Sequence, residues 1–230
     1  MSHRTLRQSL PEPAYLGLKD YGQIFAAMRQ FTETRDENTP DQLWLLQHPP
    51  VYTLGLNGNP AHLLQPLDTP LIQTDRGGQI TWHGPGQLVV YPLLDLKRNK
   101  LGIRALIDGL EQSVVGLLKQ YGIQARTRAD APGVYVAERK IAFLGLRVRR
   151  GCSYHGLSLN VNNDLVPFAA INPCGYPGLE VISLASLGIE TRPEQVAAAL
   201  VLQMASHIGP LPSNRAQGLD GPQSNEVGVL

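Results

Sequence analysis

The sequence predicts one α+β domain, a mixed and largely antiparallel sheet with helices packed against it. Three observations lead there. Strand-like segments come in runs, three stretches of helical periodicity are set well apart, and the second half holds three consecutive strand-like segments joined by short polar turns. A chain of 230 residues supports one well-cored domain and would divide poorly into two. Residues 1–212 are read as that domain. Residues 213–230, rich in Gly, Ser, Asn and Gln without a period, are read as a flexible tail.

Residues 15–18 form a short strand candidate. Asp20 then caps a helix over 21–34, where Ile24, Ala27, Met28 and Phe31 share one face at the i, i+3, i+4, i+7 spacing. Residues 42–47 and 51–54 read as strands on either side of His48, Pro49 and Pro50, with His48 as a structural turn residue. A loop through Asn57 and Pro60 follows. Residues 87–94 are almost continuously apolar, the pattern of a strand buried on both faces. The strongest helical stripe runs through Ile103, Leu106, Ile107, Leu110, Val114, Leu117, Leu118 and Tyr121, with Gly122 closing it. Residues 133–136, 139–149 and 152–161 make an antiparallel meander. Thr191 to Glu194 match a capping box for a last helix, which stops at Gly209 and Pro210.

Composition narrows the function classes. The net charge is +1, with 17% charged residues, which argues against a general nucleic-acid binder. No apolar run reaches the ~18 residues of a membrane span, and the N-terminus lacks the apolar segment of a signal peptide. Two cysteines, Cys152 and Cys174, give no disulfide framework and suit a reducing cytoplasm. The six histidines show no HxxxH spacing, and no CxxC occurs, so no zinc site is expected. GxxxxGK[ST] and GxGxxG are both absent, so nothing local proposes ATP or NAD as a cofactor.

Four glycines fall within residues 76–91, beside Arg76, Trp82 and His83. Such a stretch either brings backbone close to a polar or reactive ligand, or makes a tight glycine hairpin. Of only five lysines, Lys140 alone begins a strand-like run. Strand alternation puts it in phase with Ala142, Leu144, Leu146 and Val148, while Arg147 and Arg149 point outward, unless a bulge at Gly145 breaks the phase. A lysine on the inner face either gives up its proton easily or pairs with something; one at a strand start also has room to snorkel to water. Cys174 sits between Pro173 and Gly175 in a turn-rich segment, where a thiol is accessible and, once ionised, nucleophilic. A nearby ammonium at Lys140 would favour that thiolate. Cys152 is read as structural. His155, in phase with Leu157, Leu159 and Val161, is either a satisfied core histidine or a pocket wall.

With these residues in view the chain resembles the octanoyltransferases, also called lipoyl (octanoyl) protein transferases. The motif Arg-Gly-Gly-x-x-Thr-aromatic-His-Gly-Pro-Gly-Gln begins at Arg76. It is followed in order by Lys140-Ile-Ala, Tyr154-His-Gly-Leu, Leu159-Asn160 and Asn172-Pro-Cys-Gly. The resemblance covers roughly residues 15–190 and implies the fold of lipoate- and biotin-protein ligases. It implies transfer of an octanoyl group from acyl carrier protein to a lysine on lipoyl domains of 2-oxoacid dehydrogenase E2 subunits and on the glycine-cleavage H protein. By resemblance Cys174 carries the acyl thioester and Lys140 favours its thiolate. Substrate contacts fall on Arg76, Gly77, Gly78, Gln79, Ile80, Thr81, Trp82 and His83, on Phe143, Leu144 and Gly145, and on Gly156, Leu157 and Ser158. Phe143 departs from the family pattern, which has a small residue there.

Three other readings compete. An ATP-dependent lipoate ligase of the same fold needs no nucleophilic cysteine; a silent carrier-binding module needs neither Cys174 nor Lys140; a cysteine hydrolase would use His83 or His155 as base. The row Arg147, Arg149 and Arg150 is either a docking strip for an acidic carrier protein or a solvated strand face.

Overall fold

The computed structural model describes residues 15–209, so the tail read at 213–230 and both ends of the domain read at 1–212 lie outside the described residues. From the N-terminus come β1 (Tyr15–Leu18), α1 (Tyr21–Thr34), β2 (Gln42–Gln47), β3 (Val51–Leu54), β4 (Leu71–Gln73), β5 (Thr81–His83) and β6 (Gln87–Leu93). Then follow α2 (Ile103–Gln120), β7 (Arg126–Thr127), β8 (Gly133–Val136), β9 (Arg139–Arg149), β10 (Cys152–Asn160) and α3 (Pro193–Ile208). A seven-stranded sheet runs β1-β2-β6-β10-β9-β8-β7, antiparallel except for the parallel β1–β2 edge. A second sheet of three strands runs β4-β3-β5.

β6 is buried at every position, as its apolar run requires, because both faces of the large sheet are covered. Leu88 and Val90 of β6, with Leu43 and Leu45 of β2, point to α2 and α3 and meet Leu110, Val114, Leu200 and Met204. The alternate residues Trp44, Leu46, Val89, Tyr91 and Leu93 point the other way onto Ile24 and Met28 of α1. Burying each such aliphatic side chain contributes about 1.5–3 kcal/mol. The α1 cap is as expected, Asp20 Oδ1 accepting from the Gln23 N–H at 2.9 Å. On α2, Gly122 takes the left-handed C′ position at φ 73°, but Ile103 at the first turn is exposed and lines a cleft instead of the core.

Three expectations are corrected. α3 starts at Pro193 with Arg192 as N-cap, and Gln195, not Glu194, reaches back to the Arg192 N–H. The glycine stretch is no hairpin: β5 pairs with β3 in the small sheet while β6 pairs with β2 and β10 in the large one. The bend at residues 84–86 therefore passes the chain from one sheet to the other. Third, β9 bulges at residue 141, not at Gly145, since Tyr135 pairs with Lys140 and Val134 with Ala142. The extra residue removes Lys140 from the phase of Ala142 and sets its amine over the Phe143 ring, 5.1 Å from the centroid. The meander itself is as read, with two-residue turns at Ala137 and Glu138 and at Arg150 and Gly151, all four at positive φ.

At Gly156 β10 lies tight against β6: a Cβ there would stand 2.0 Å from the Val90 carbonyl oxygen and 2.7 Å from Pro92 Cδ. Gly156→Ala is expected to lower the unfolding free energy by about 1–3 kcal/mol. A urea titration reads this as a lower midpoint at unchanged slope. An unmoved midpoint would mean the strands spread at no cost.

Candidate active site

Cys174 is held by contacts on both sides of its turn. Upstream, the Asn172 N–H donates to the His62 carbonyl at 2.8 Å. Downstream, Lys140 and residues 180–182 bond reciprocally: the Lys140 N–H donates to Glu180 O at 2.9 Å and the Ile182 N–H to Lys140 O at 3.0 Å. These bonds bring together two residues 34 positions apart. Lys140 Nζ donates to Cys174 Sγ at 3.1 Å and to the Pro132 carbonyl at 2.7 Å, and Lys140 is fully buried. Rings of Tyr135 and Phe143 flank the amine at 5.3 and 5.1 Å, favourable faces for a cation. Cys174 has φ 57°, a left-handed conformation that costs a non-glycine residue of order 1–3 kcal/mol and is characteristic of functional turns. Cys152, by contrast, is buried and its thiol is pushed up by that burial, in keeping with a structural role.

Two hollows meet at Cys174. One is a narrow cavity that runs beneath the glycine stretch to a floor of Tyr21, His83, Tyr91 and His155. Arg76, Gly78, Gln79, Ile80 and Thr81 form one wall; Phe143, Leu144, Gly145, Gly156, Leu157 and Ser158 form the other. The second is an open cleft walled by Gly77, Lys140, Leu146, Arg147, Ile103 and Tyr176. The predicted contacts thus gather in one place, with one exception. Trp82 lines neither hollow: strand alternation turns its indole against Phe168, at 5.7 Å between rings.

Arg76 proves to be an organiser of the loop. Its buried guanidinium donates to Thr53 O at 2.7 Å, Gly77 O at 2.8 Å and Gln79 O at 2.8 Å, and also to the Thr53 hydroxyl at 2.9 Å. The Gly77 N–H is also engaged, donating to Leu146 O at 3.0 Å. Phe143, where the family pattern has a small residue, stacks on Phe168 at 5.3 Å and 9°. The arginine row is partly tied down: Arg149 pairs with Glu33 at 3.2 Å and Arg150 reaches the Glu33 carbonyl, leaving Arg147 at the cleft.

The cavity floor was not visible in the sequence as a unit. His155, at φ 55°, donates Nε2–H to Asp75 Oδ1 at 2.8 Å, and its buried Nδ1 has no partner. Burial raises the Asp75 carboxyl, yet hydrogen bonds from His155 and Tyr154 outweigh it and hold the group at about 2. His48 donates Nδ1–H to Lys19 O at 2.7 Å and accepts from the Tyr91 hydroxyl at 2.8 Å. His83 donates Nδ1–H to Gln87 Oε1 at 2.7 Å, and Gln87 is itself held by Asn160 at 2.9 Å. Burial lowers His48 to about 4 and His83 to about 3, so both imidazoles are neutral at neutral pH. Cys174 makes its side-chain hydrogen bond with Lys140 and with neither of these histidines.

The chain is similar to known proteins in sequence and in fold. A family model described as the lipoyl protein ligase A/B catalytic domain matches residues 20–205. An octanoyltransferase of Alkalilimnicola ehrlichii is 58% identical over 194 residues, covering 84% of this chain and 90% of its own. One of Shewanella amazonensis is 55% identical over 195 residues, 85% of this chain and 90% of its own. Among solved structures, a putative lipoate protein ligase from T. acidophilum superposes with a TM-score of 0.69 at 16% identity, over 86% of this chain and 85% of that one. Biotin protein ligase from Aquifex aeolicus in complex with biotin and ATP gives 0.53 at 14% identity, over 84% and 68%. At these identities the structural matches establish the fold alone.

The depressed histidines set a pH dependence of stability. The unfolded chain protonates them near pH 6.5, the folded chain only near 4 and 3. Stability is therefore complete above pH 6.5 and declines as pH falls from there toward 4, by about 1.4 kcal/mol per pH unit for each histidine. Thermal midpoints between pH 7.5 and 4.5 should fall accordingly, and less steeply in His48→Gln. A flat profile would mean these histidines are not buried in neutral form.

Proposed function

The chain belongs to the lipoyl protein ligase A/B catalytic family, among the octanoyltransferases, and we propose that it moves an octanoyl group from acyl carrier protein to a lysine of lipoyl domains through a thioester on Cys174. The observation that carries this reading is the 3.1 Å contact between Lys140 Nζ and Cys174 Sγ at the junction of the two hollows. An acyl chain in the narrow cavity places its carbonyl at Cys174, and the open cleft leaves that carbonyl accessible to a partner protein. The lipoyl domains of 2-oxoacid dehydrogenase E2 subunits and the glycine-cleavage H protein are the proposed acceptors.

The Cys174 thiolate, stabilised by the Lys140 ammonium, attacks the carbonyl carbon of the donor thioester. The oxyanion needs backbone donors, each typically worth about 3–4 kcal/mol. Because the Gly77 N–H is spent on Leu146, the amides of Gly78 and Gln79 are the available ones in the glycine wall. The tetrahedral species collapses, the carbon–sulfur bond to the donor breaks, and the departing thiolate takes a proton from Lys140. Neutral Lys140 then accepts a proton from the acceptor amine as that amine attacks the acyl-Cys174 carbonyl, which expels the Cys174 thiolate and restores the pair. Thioester to thioester is nearly isoenergetic and thioester to amide is downhill, so the chemistry needs no ATP. The Cys174–Lys140 pairing also favours this reading over a histidine-dependent hydrolase.

Intact mass after incubation with octanoyl-acyl carrier protein, without ATP, tests the reading. An octanoyl adduct should form, vanish in Cys174→Ala, and pass to an added lipoyl domain. Lys140→Met should slow adduct formation by ~10²-fold or more. No adduct on the native protein would sink the proposal.

A further inference from the structure

One buried acid stands behind the lysine and is used by nothing described so far. Glu111, in the middle of α2, is 4% exposed, and its Oε1 accepts from the Gly133 N–H at 2.6 Å. The carbonyl of that same peptide unit is Pro132 O, the acceptor of Lys140 Nζ at 2.7 Å. One peptide plane therefore has a carboxylate on its N–H end and the lysine amine on its C=O end, with the Cys174 sulfur beyond at 3.1 Å. Gly133, at φ 140°, is the residue that admits this: a Cβ there would lie 2.4 Å from Lys140 Cε and 2.9 Å from Nζ. A helix carboxylate has many exposed places to be, and burying one is costly unless it is hydrogen-bonded.

We propose that Glu111 is a positioning residue for the acyl transfer, acting through the Pro132–Gly133 peptide to hold the Lys140 amine against Cys174 and to favour its ammonium form. This rests on the reading of Cys174 and Lys140 given above. Two effects combine. Hydrogen bonds in series polarise one another, so the carboxylate strengthens the Pro132 carbonyl as an acceptor for the ammonium. The carboxylate is also at most about 8 Å from the amine along this chain of bonds, close enough in a buried setting to act directly on its charge. Burial raises the Glu111 carboxyl, and the Gly133 N–H and Lys140 counter it; Asp108 and Arg104 of the same helix act in opposite senses. Around the amine itself stand Tyr135 from β8, the Phe143 ring from β9, and Cys174.

The test compares native full-length protein with Glu111→Gln and Glu111→Ala. Gln keeps an oxygen acceptor for the Gly133 N–H and removes only the charge. Two readouts are followed against pH: octanoyl-adduct formation from octanoyl-acyl carrier protein, and iodoacetamide alkylation of Cys174, resolved from Cys152 by peptide mass. Removing an anion makes every facing cation easier to deprotonate, the nearer one most. The alkaline limb of the adduct profile should therefore move to lower pH in Glu111→Gln, and so should the rising limb of the alkylation profile, since loss of the anion also eases ionisation of the thiol, each by on the order of one unit. Glu111→Asp should partly restore it. If Glu111→Gln lowers only the melting temperature and leaves both limbs in place, Glu111 merely caps the loop and the proposal is overturned. If native protein forms no adduct while the alkylation limb still shifts, the positioning role stands and the acyl-transfer reading fails.

Discussion

The constraint on which the site depends is a primary amine with no access to water. Lys140 must find acceptors inside the protein or cost several kcal/mol. It finds the Pro132 carbonyl and the Cys174 sulfur, with two aromatic faces beside them. Much local architecture serves this. The bulge at residue 141 turns the side chain away from the aliphatic core, Gly133 makes room for its end, and residues 180–182, downstream of the Cys174 turn, bond both its backbone N–H and its C=O. Cys174 and Lys140 are thus placed by main-chain hydrogen bonds, which are stiffer than a contact between two mobile side chains.

The glycine stretch plays a different part from the one its composition first suggests. Its Arg76 guanidinium is spent on backbone carbonyls, so it shapes the wall instead of offering a free charge to a ligand. Its passage from the small sheet into the large one makes one segment roof the cavity and then continue as the fully buried central strand β6. Gly145 lies directly beneath, where a Cβ would stand 2.9 Å from the Gly77 carbonyl. Phe143, at a position the family usually gives to a small side chain, stacks on Phe168 while its residue still lines the cavity, and its backbone is paired with β8 on one side and β10 on the other.

The floor of the cavity is polar although its walls are largely apolar. His48, His83 and His155 are each fixed in one tautomer by a definite acceptor, and two buried tyrosines, Tyr21 and Tyr91, fill the space among them. Apart from the partnerless His155 Nδ1, the ring nitrogens that bond do so to definite partners, and distorting the arrangement strands buried donors. It therefore gives the cavity a rigid end. The fold is shared with ligases of low sequence identity whose structures hold ATP, so architecture alone does not separate transfer from ligation. In the proposed reading, the feature that favours transfer is a cysteine bonded to a buried lysine.

Local pattern was enough for the α+β class, for α1 and α2 nearly to the residue, for the two-faced burial of β6, and for the β8–β10 meander. Periodicity and capping act over a few residues, and burial merely reinforces them. Recognisable motifs likewise singled out Cys174, Lys140 and most of the cavity walls. The short strands β4 and β7 escaped notice because so few residues show no period, and the bulge that reorients Lys140 escaped because it exists only in the pairing of β9 with β8. Trp82 was misplaced as a contact because a motif gives order along the chain and not the face a strand turns outward. Glu111 and Asp75 carried no sequence signal, and His48, His83 and His155 were read singly and not as one floor: Glu111 and Asp75 matter through partners at least 22 residues away. Short-range sterics and hydrophobic period determined the elements and named the chemistry; only hydrogen bonds made across the folded chain decided where a buried charge sits and what it can reach.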